Sequence, residues 1–338
     1  MKGRNFVRKV LSVVSMAVTL GMFAVAQNGV NTTRDAAGQR GTLNEDSPLM
    51  RVLRKPAVGK NGNQQSKSPL IPALHIFRFA TTDYPGAAFT ETTAVNNGVV
   101  VGNYSFGTGT LLIPFVLKGG VYRTLIVPGA ASARILSVNS VGQIVGDYFD
   151  TSGVRHGFLD TAGVFTTIDF PGSVDTVVAD INTNGDMVGF YGDELVNGIG
   201  RTHGFLLKGS TFTTIDFPNA ALTMAFGLND SDEVVGVYQT NGGTFNNGFI
   251  LQNGVITSLN APLATGTTLF GVNNDGVISG SYQDAAFSDH GLLFSDGAFG
   301  TVEVSGAMAT SLMHIPTKGP FAVNFTDQAF EGHGATGN

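Results

Sequence analysis

The chain has 338 residues, 42% of them hydrophobic, with 46 glycines, 25 phenylalanines, no cysteine and a formal net charge of −6. The lack of cysteine excludes a disulfide framework and a thiol-linked lipid anchor. Charge is uneven, with four basic and no acidic residues in 1–26, seven and three in 27–76, and eight and 22 from 77 onward. That acidic body argues against nucleic acid as a partner, because phosphates need a basic footprint.

Lys2, Arg4, Arg8 and Lys9 precede an apolar run over residues 10–26 that ends in Ala24-Val25-Ala26. Basic, apolar and small-residue regions in that order predict a secretory signal peptide over 1–26, cleaved before Gln27. The expected localisation is extracellular or periplasmic, with no stable membrane insertion after cleavage. Residues 27–76 are rich in Asn, Gln, Ser and Gly. They hold too little apolar surface to offset ordering entropy and read as a disordered polar leader.

From residue 77 the chain repeats itself. A Val-Gly-x-Tyr motif returns five times, at Gly102 and Tyr104, Gly146 and Tyr148, Gly189 and Tyr191, Gly236 and Tyr238, and, with Ser279 in place of Val, at Gly280 and Tyr282. The glycines are 44, 43, 47 and 44 residues apart, the period of an array whose unit is one supersecondary structure. In the third unit an apolar segment at 177–181 meets the turn Asn182-Thr183-Asn184-Gly185, and 186–191, 202–207 and 211–217 follow as strands, the last stopped by Pro218. Each unit therefore reads as a four-stranded antiparallel meander. The other turns are Asn96-Asn97-Gly98, Asn139 to Gly142, Asn229 to Asp232 and Asn273 to Gly276.

No stretch after residue 77 has helical periodicity. An all-β chain of meanders about 45 residues long predicts a β-propeller over 77–326, with a flexible tail over 327–338. Residues 77–86 look like a fourth strand arriving ahead of its own first strand, as in a ring closed by its two ends. Residues 307–326 offer a reduced partner for it, and five blades or a composite sixth both fit the sequence.

The units read Ile-Asn-x-x-Gly-x-x-Val-Gly-x-Tyr, His-Gly-Phe-Leu and Phe-Thr-Thr-Ile-Asp-Phe-Pro-Gly. The best copies are Ile181 to Tyr191, His203 to Leu206 and Phe165 to Gly172. These motifs resemble the HAF family of bacterial extracellular repeat proteins over about residues 77–305. The first unit departs, with Ile113-Pro114-Phe115 in place of His-Gly-Phe, and the fourth has Asn247-Gly248-Phe249. The resemblance implies a secreted bacterial protein and brings no catalytic residues with it.

Gly and Tyr of each motif are two apart and share a sheet face. Since every unit keeps the pair, packing explains it better than a ring of sugar-stacking platforms. His156, His203 and His290 recur at one repeat position that also holds Ile113 and Asn247, so a shared metal scheme does not hold. A neutral histidine fixing a loop is expected there. The oxygen-rich stretch Asp180 to Asp186 lacks the downstream bidentate Glu of a calcium loop and reads as a hairpin turn. No metal or cofactor is expected.

Asp169, Asp216, Asp147, Asp193, Glu194, Asp232 and Glu233 lie near predicted loops, and no catalytic signature accompanies them. The sequence thus predicts a secreted, monomeric, non-catalytic binding or surface-interaction module for an extracellular protein or a glycan. The alternative is a propeller glycosidase whose carboxylates meet from different blades.

Overall fold

The computed structural model describes residues 77–107, 111–193, 201–329 and 331–337. The signal peptide and the leader expected from the sequence lie outside the described residues. All regular structure within them is β-strand, so no described helix is long and apolar enough to cross a membrane.

Six four-stranded antiparallel sheets follow one another. The third has Asp175–Ile181, Met187–Gly192, Thr202–Lys208 and Thr211–Ile215 in spatial order. The first, second, fourth and fifth are built the same way over 89–124, 130–168, 220–258 and 266–302. A single parallel bridge from Thr202 to Leu222 links the third and fourth.

The sixth sheet is composite. Ala309–His314, Phe321–Thr326 and Gly332–Gly337 are its first three strands, and Phe79–Thr81 pairs with the third as its fourth. Gly332–Gly337 lies where the sequence reading places a flexible tail. Its backbone is bonded on both sides, to Phe321–Thr326 and to Phe79–Thr81, which is why it is ordered.

Each sheet packs its first strand on the preceding sheet, and the first sheet packs on the sixth in the same way. Buried side chains interleave at these junctions, such as Ala94 and Val101 with Ile135 and Phe158, or Val145 with Val178 and Phe205. The glycine of the His-Gly motif marks the contact. A Cβ on Gly157 would lie 2.7 Å from Val178 of the third sheet, and one on Gly334 would lie 2.8 Å from the Thr92 nitrogen of the first. Asn103 Oδ1 accepts from Ile135 N at 2.9 Å, and Asn324 Oδ1 accepts from Thr92 N at 2.8 Å. The sixth-to-first junction therefore uses the same device as the first-to-second.

Every first strand carries a β-bulge at one equivalent place, between Thr92 and Ala94, Ile135 and Ser137, Val178 and Asp180, Ala225 and Gly227, Leu269 and Gly271, and Leu312 and His314, and the second and fourth sheets have a further irregularity near the strand start. The bulge turns the backbone so that the residue after it can meet its counterpart on the neighbouring first strand, as Ser137 Oγ meets Asp180 and Gly227 approaches Gly271. The side chains there are Ala94, Ser137, Asp180, Gly227, Gly271 and His314.

Candidate functional site

One end of the array carries the turns between first and second strands. Asn139 Oδ1 accepts from Val141 N and Gln143 N, closing its own turn, while its Nδ2 donates to the Asn182 carbonyl at 2.9 Å. Asn182 repeats this toward Asn229 at 3.3 Å, Asn229 toward Asn273 at 3.1 Å, and Asn273 toward Pro316 at 3.4 Å. The asparagines read as turn formers are thus also links between sheets. Their regular spacing was visible in the sequence, but the second bond runs to the next repeat and leaves no local signal.

The opposite end carries the loops between second and third strands, and the repeated histidines. His203 lies between Asp216 at 2.8 Å and Asp193 at 3.0 Å, and His156 between Asp169 at 2.9 Å and Asp150 at 3.7 Å. His290 bonds Glu303 at 2.6 Å and Asp284 at 3.3 Å. His333 is a fourth copy missed in the sequence, held by Asp83 at 3.0 Å and Asp327 at 3.5 Å. Each ring also stacks on the aromatic of its second strand, Tyr148, Tyr191, Tyr282 or Phe325.

Three of these histidines, His203, His290 and His333, are shifted toward the charged form. Burial works to lower the pKa of His203 and of His290, but the bonds from their carboxylate partners outweigh it and hold both above the usual histidine range. Asp83 does the same for His333 against a smaller burial effect. In His203 and His290 both nitrogens are engaged by carboxylates, so these two rings offer no lone pair to a ligand.

The repeated tyrosines are bonded within their sheets. Their hydroxyls meet Thr124, Thr167, Thr214, Ser258 and Thr301 of the fourth strands, for Tyr104, Tyr148, Tyr191, Tyr238 and Tyr282 in turn. Tyr104, Tyr191 and Tyr238 lie flat on Tyr84, Phe170 and Phe217 at 3.6 Å. The glycines two residues earlier face the third strand, with Gly102, Gly146, Gly189 and Gly236 opposite a phenylalanine and Gly280 opposite Leu292.

Two features break the repeat. The first is a charged cluster across the first three sheets. Asp147 is bonded by Arg134 and by Arg155, both at 2.8 Å, and is 1% exposed. Burial works to raise its pKa, but the two guanidinium groups outweigh it and hold the carboxyl below the usual range. Burial pushes Glu91 up, countered only in part by Arg134 and by the Asn103 amide at 2.8 Å, and pushes Asp175 up as well. Arg155 packs between the Phe149 and Phe190 rings, each 5.7 Å away, and its Nη2 has no partner. Asp147 is therefore a sealed ion pair and not the loop residue its sequence position suggests. Asp232 pairs with Lys208 at 2.7 Å, Glu233 accepts from Asn229, and Glu194 lies outside the described residues.

The second is a groove of about 770 Å³ between the first and second sheets. Its walls are Leu111 to Pro114, Thr124 to Val127 and Ala130 to Ala133, with Phe106 at its rim. Phe106, Leu111 and Ile126 are 62%, 65% and 79% exposed. It lies at the unit where Ile113 and Pro114 replace His and Gly.

No family model matches the chain, and no curated relative does. Among solved structures it is similar to virginiamycin B lyase from Staphylococcus aureus, at 10% identity and a TM-score of 0.42 over 77% of this chain and 99% of that one. It is also similar to the β-propeller domain of the Trilobed protease from Pyrococcus furiosus, at 7% identity and a TM-score of 0.46 over 73% and 95%. A mutant of Aleuria aurantia lectin, in complex with a fucosylated GlcNAc, gives 9% and 0.47 over 73% and 92%. No residue of this chain takes a role from them.

Proposed function

We propose that the chain is a secreted, monomeric, non-catalytic binding module built on a closed six-bladed β-propeller, and that it takes an apolar small molecule in the groove between the first and second sheets. The observation that carries this reading is where the groove lies. Repeat-equivalent polar side chains are spent on links within and between sheets, whereas the groove occupies the unit that abandons the pattern, and ligand sites break symmetry. Its volume falls in the range of small-molecule pockets. Its walls are aliphatic apart from Thr124 and Ser132, so a sugar ring would find few polar partners there. The likeness to HAF repeats and the signal-like N-terminus support secretion. Neither nucleic acid nor membrane is a partner in this reading.

A glycosidase is the second reading, because Glu91 and Asp147 meet from different sheets with pKa values pushed apart, as an acid and a base require. Against it, both Asp147 oxygens are held by arginines and the side chain is closed to solvent. The test is saturable binding of an apolar fluorescent dye, anilinonaphthalene sulfonate, to folded protein. Loss of binding in Ile126→Asp with an unchanged circular dichroism spectrum is expected, and equal binding by both proteins overturns the groove. Turnover of a chromogenic glycoside that disappears in Glu91→Gln would instead favour the enzyme. Intact mass of the exported protein, beginning at Gln27, tests the compartment.

A further inference from the structure

The six residues that follow the bulges stand around the axis of the array, and four of them, Ala94, Ser137, Gly227 and Gly271, are small. Space explains two: a Cβ on Gly227 would lie 2.7 Å from the Gly271 Cα. Asp180 and His314 are the exceptions, on the third and sixth sheets. Both line a cavity of about 60 Å³ on the axis, together with Asn182, Asn229 and Asn273. A polar cavity of that size holds a few waters or one partly hydrated ion.

Neither side chain is compensated by its neighbours. The Asp180 carboxylate accepts from Ser137 Oγ at 2.6 Å, Ile181 N at 2.8 Å and Leu228 N at 2.9 Å, all neutral donors. No Lys or Arg lines the cavity. Buried carboxylates are ordinarily paired with a cation or a metal, and this one, 6% exposed, has neither among the described residues. Burial pushes its pKa up to about 6, so at neutral pH it is ionised at a cost. His314 Nδ1 is buried without any hydrogen-bond partner. Burial pushes this ring down to about 4, leaving a neutral imidazole with a free lone pair.

We propose that the axial cavity is a metal site, in which Asp180 and His314 hold a divalent transition-metal ion of the zinc class together with water. A neutral imidazole nitrogen beside a carboxylate oxygen is the donor set of zinc and its neighbours in the series, whereas calcium and magnesium favour oxygen alone. The ion gives Asp180 its missing counter-charge and His314 its missing partner. Asp230, at the same mouth, adds negative charge on the approach. The site is independent of the apolar groove, and either can fail alone.

The full chain, stripped with chelator, tests it by zinc titration calorimetry and by the absorption spectrum of its cobalt form. A binding event of one ion per chain is expected, with a saturable rise in melting temperature and a cobalt spectrum of low coordination number. His314→Ala, which removes no hydrogen bond, should weaken binding at least tenfold while folding normally, and Asp180→Asn should do the same if it folds. Half-buried Asp327 and His333 form with exposed Glu331 a group that could also take zinc, so the titration is repeated in His333→Gln. Binding lost in His333→Gln but kept in His314→Ala overturns the axial site, as does the absence of any stoichiometric binding.

Discussion

Val323 lies directly opposite Ala335 in the sixth sheet, at the register position where the other sheets pair a glycine with a phenylalanine or leucine. The large and small partners have changed strands. In the third sheet, a Cβ on Gly189 would collide with the Val177 carbonyl oxygen and lie 2.9 Å from the Phe205 ring. The carbonyl precedes the bulge, so the glycine is demanded by backbone approach as well as by the ring. Gly189→Ala should therefore destabilise by about 3 kcal/mol, at the upper end for overpacking. Gly300, where an added Cβ meets nothing closer than 3.8 Å, is the control. Denaturant unfolding showing similar midpoints for Gly189→Ala and Gly300→Ala would refute this account.

The asparagine links make a second, graded prediction. Asn229→Ala removes two acceptor bonds inside its turn and two donor bonds, one to the Asn273 carbonyl and one to the Glu233 carboxylate. About 2–3 kcal/mol should be lost, since buried partners are left unpaired. Asn229→Asp keeps the acceptors and loses both donor bonds, so the loss should be roughly half. An Asn229→Asp variant as stable as the original would mean that the inter-sheet bond contributes nothing, and equal losses in the two variants would mean that the acceptor bonds do not.

Much of this architecture was legible because each unit solves the same local problems with the same residues: glycine under the bulge carbonyl, asparagine at the turn, and tyrosine reaching the fourth strand. The sixth sheet was half hidden because its solutions are inverted or replaced. Val323 stands for glycine, Phe325 for tyrosine and Pro316 for asparagine, leaving only His333-Gly334 as a motif. The tail assignment failed for that reason. The charged cluster was illegible because Glu91, Asp147 and Asp175 come from successive units and share no spacing. The departure at Ile113-Pro114 was visible, yet only the fold shows that it opens a groove.

Stability should fall as pH rises above the ordinary histidine value of about 6.5. His203, His290 and His333 have folded-state pKa values above the ordinary histidine value. Their contribution is complete below the unfolded pKa and is lost as pH climbs through the folded one. His314, displaced downward to about 4, is neutral when folded but still partly protonated when unfolded near about 6.5, so it opposes the fall slightly at the lower end of the window. The carboxylate partners are substantially exposed, so the combined effect is on the order of 1 kcal/mol. Melting temperature measured across the range should decline by a few degrees, and a flat or rising profile would contradict the assignment.

The last prediction concerns closure. Phe79 stands in register with Gly337, and Asp83, just beyond that strand, holds His333 as Asp216 holds His203. In the third sheet Lys208 pairs with Thr211 across a two-residue turn whose Gly209 has a φ of +60°. A permuted chain that begins near residue 87 and joins Gly337 to Phe79 through Asn-Gly, a sequence suited to such a turn, would make the sixth sheet continuous like the others. It should fold with a melting temperature within about 5 °C of the original, since it preserves every strand pair and changes only connectivity. Deleting residues 77–83 instead removes the fourth strand and the partner of His333. It should cost at least about 3 kcal/mol, or roughly 6–12 °C for a domain of this size. Nuclear magnetic resonance titration separates the two outcomes further: the His333 pKa should stay raised in the permuted chain and fall in the deletion. If the deletion melts with the original protein, or the permuted chain does not fold, the pairing of Phe79–Thr81 with Gly332–Gly337 is not what closes the ring.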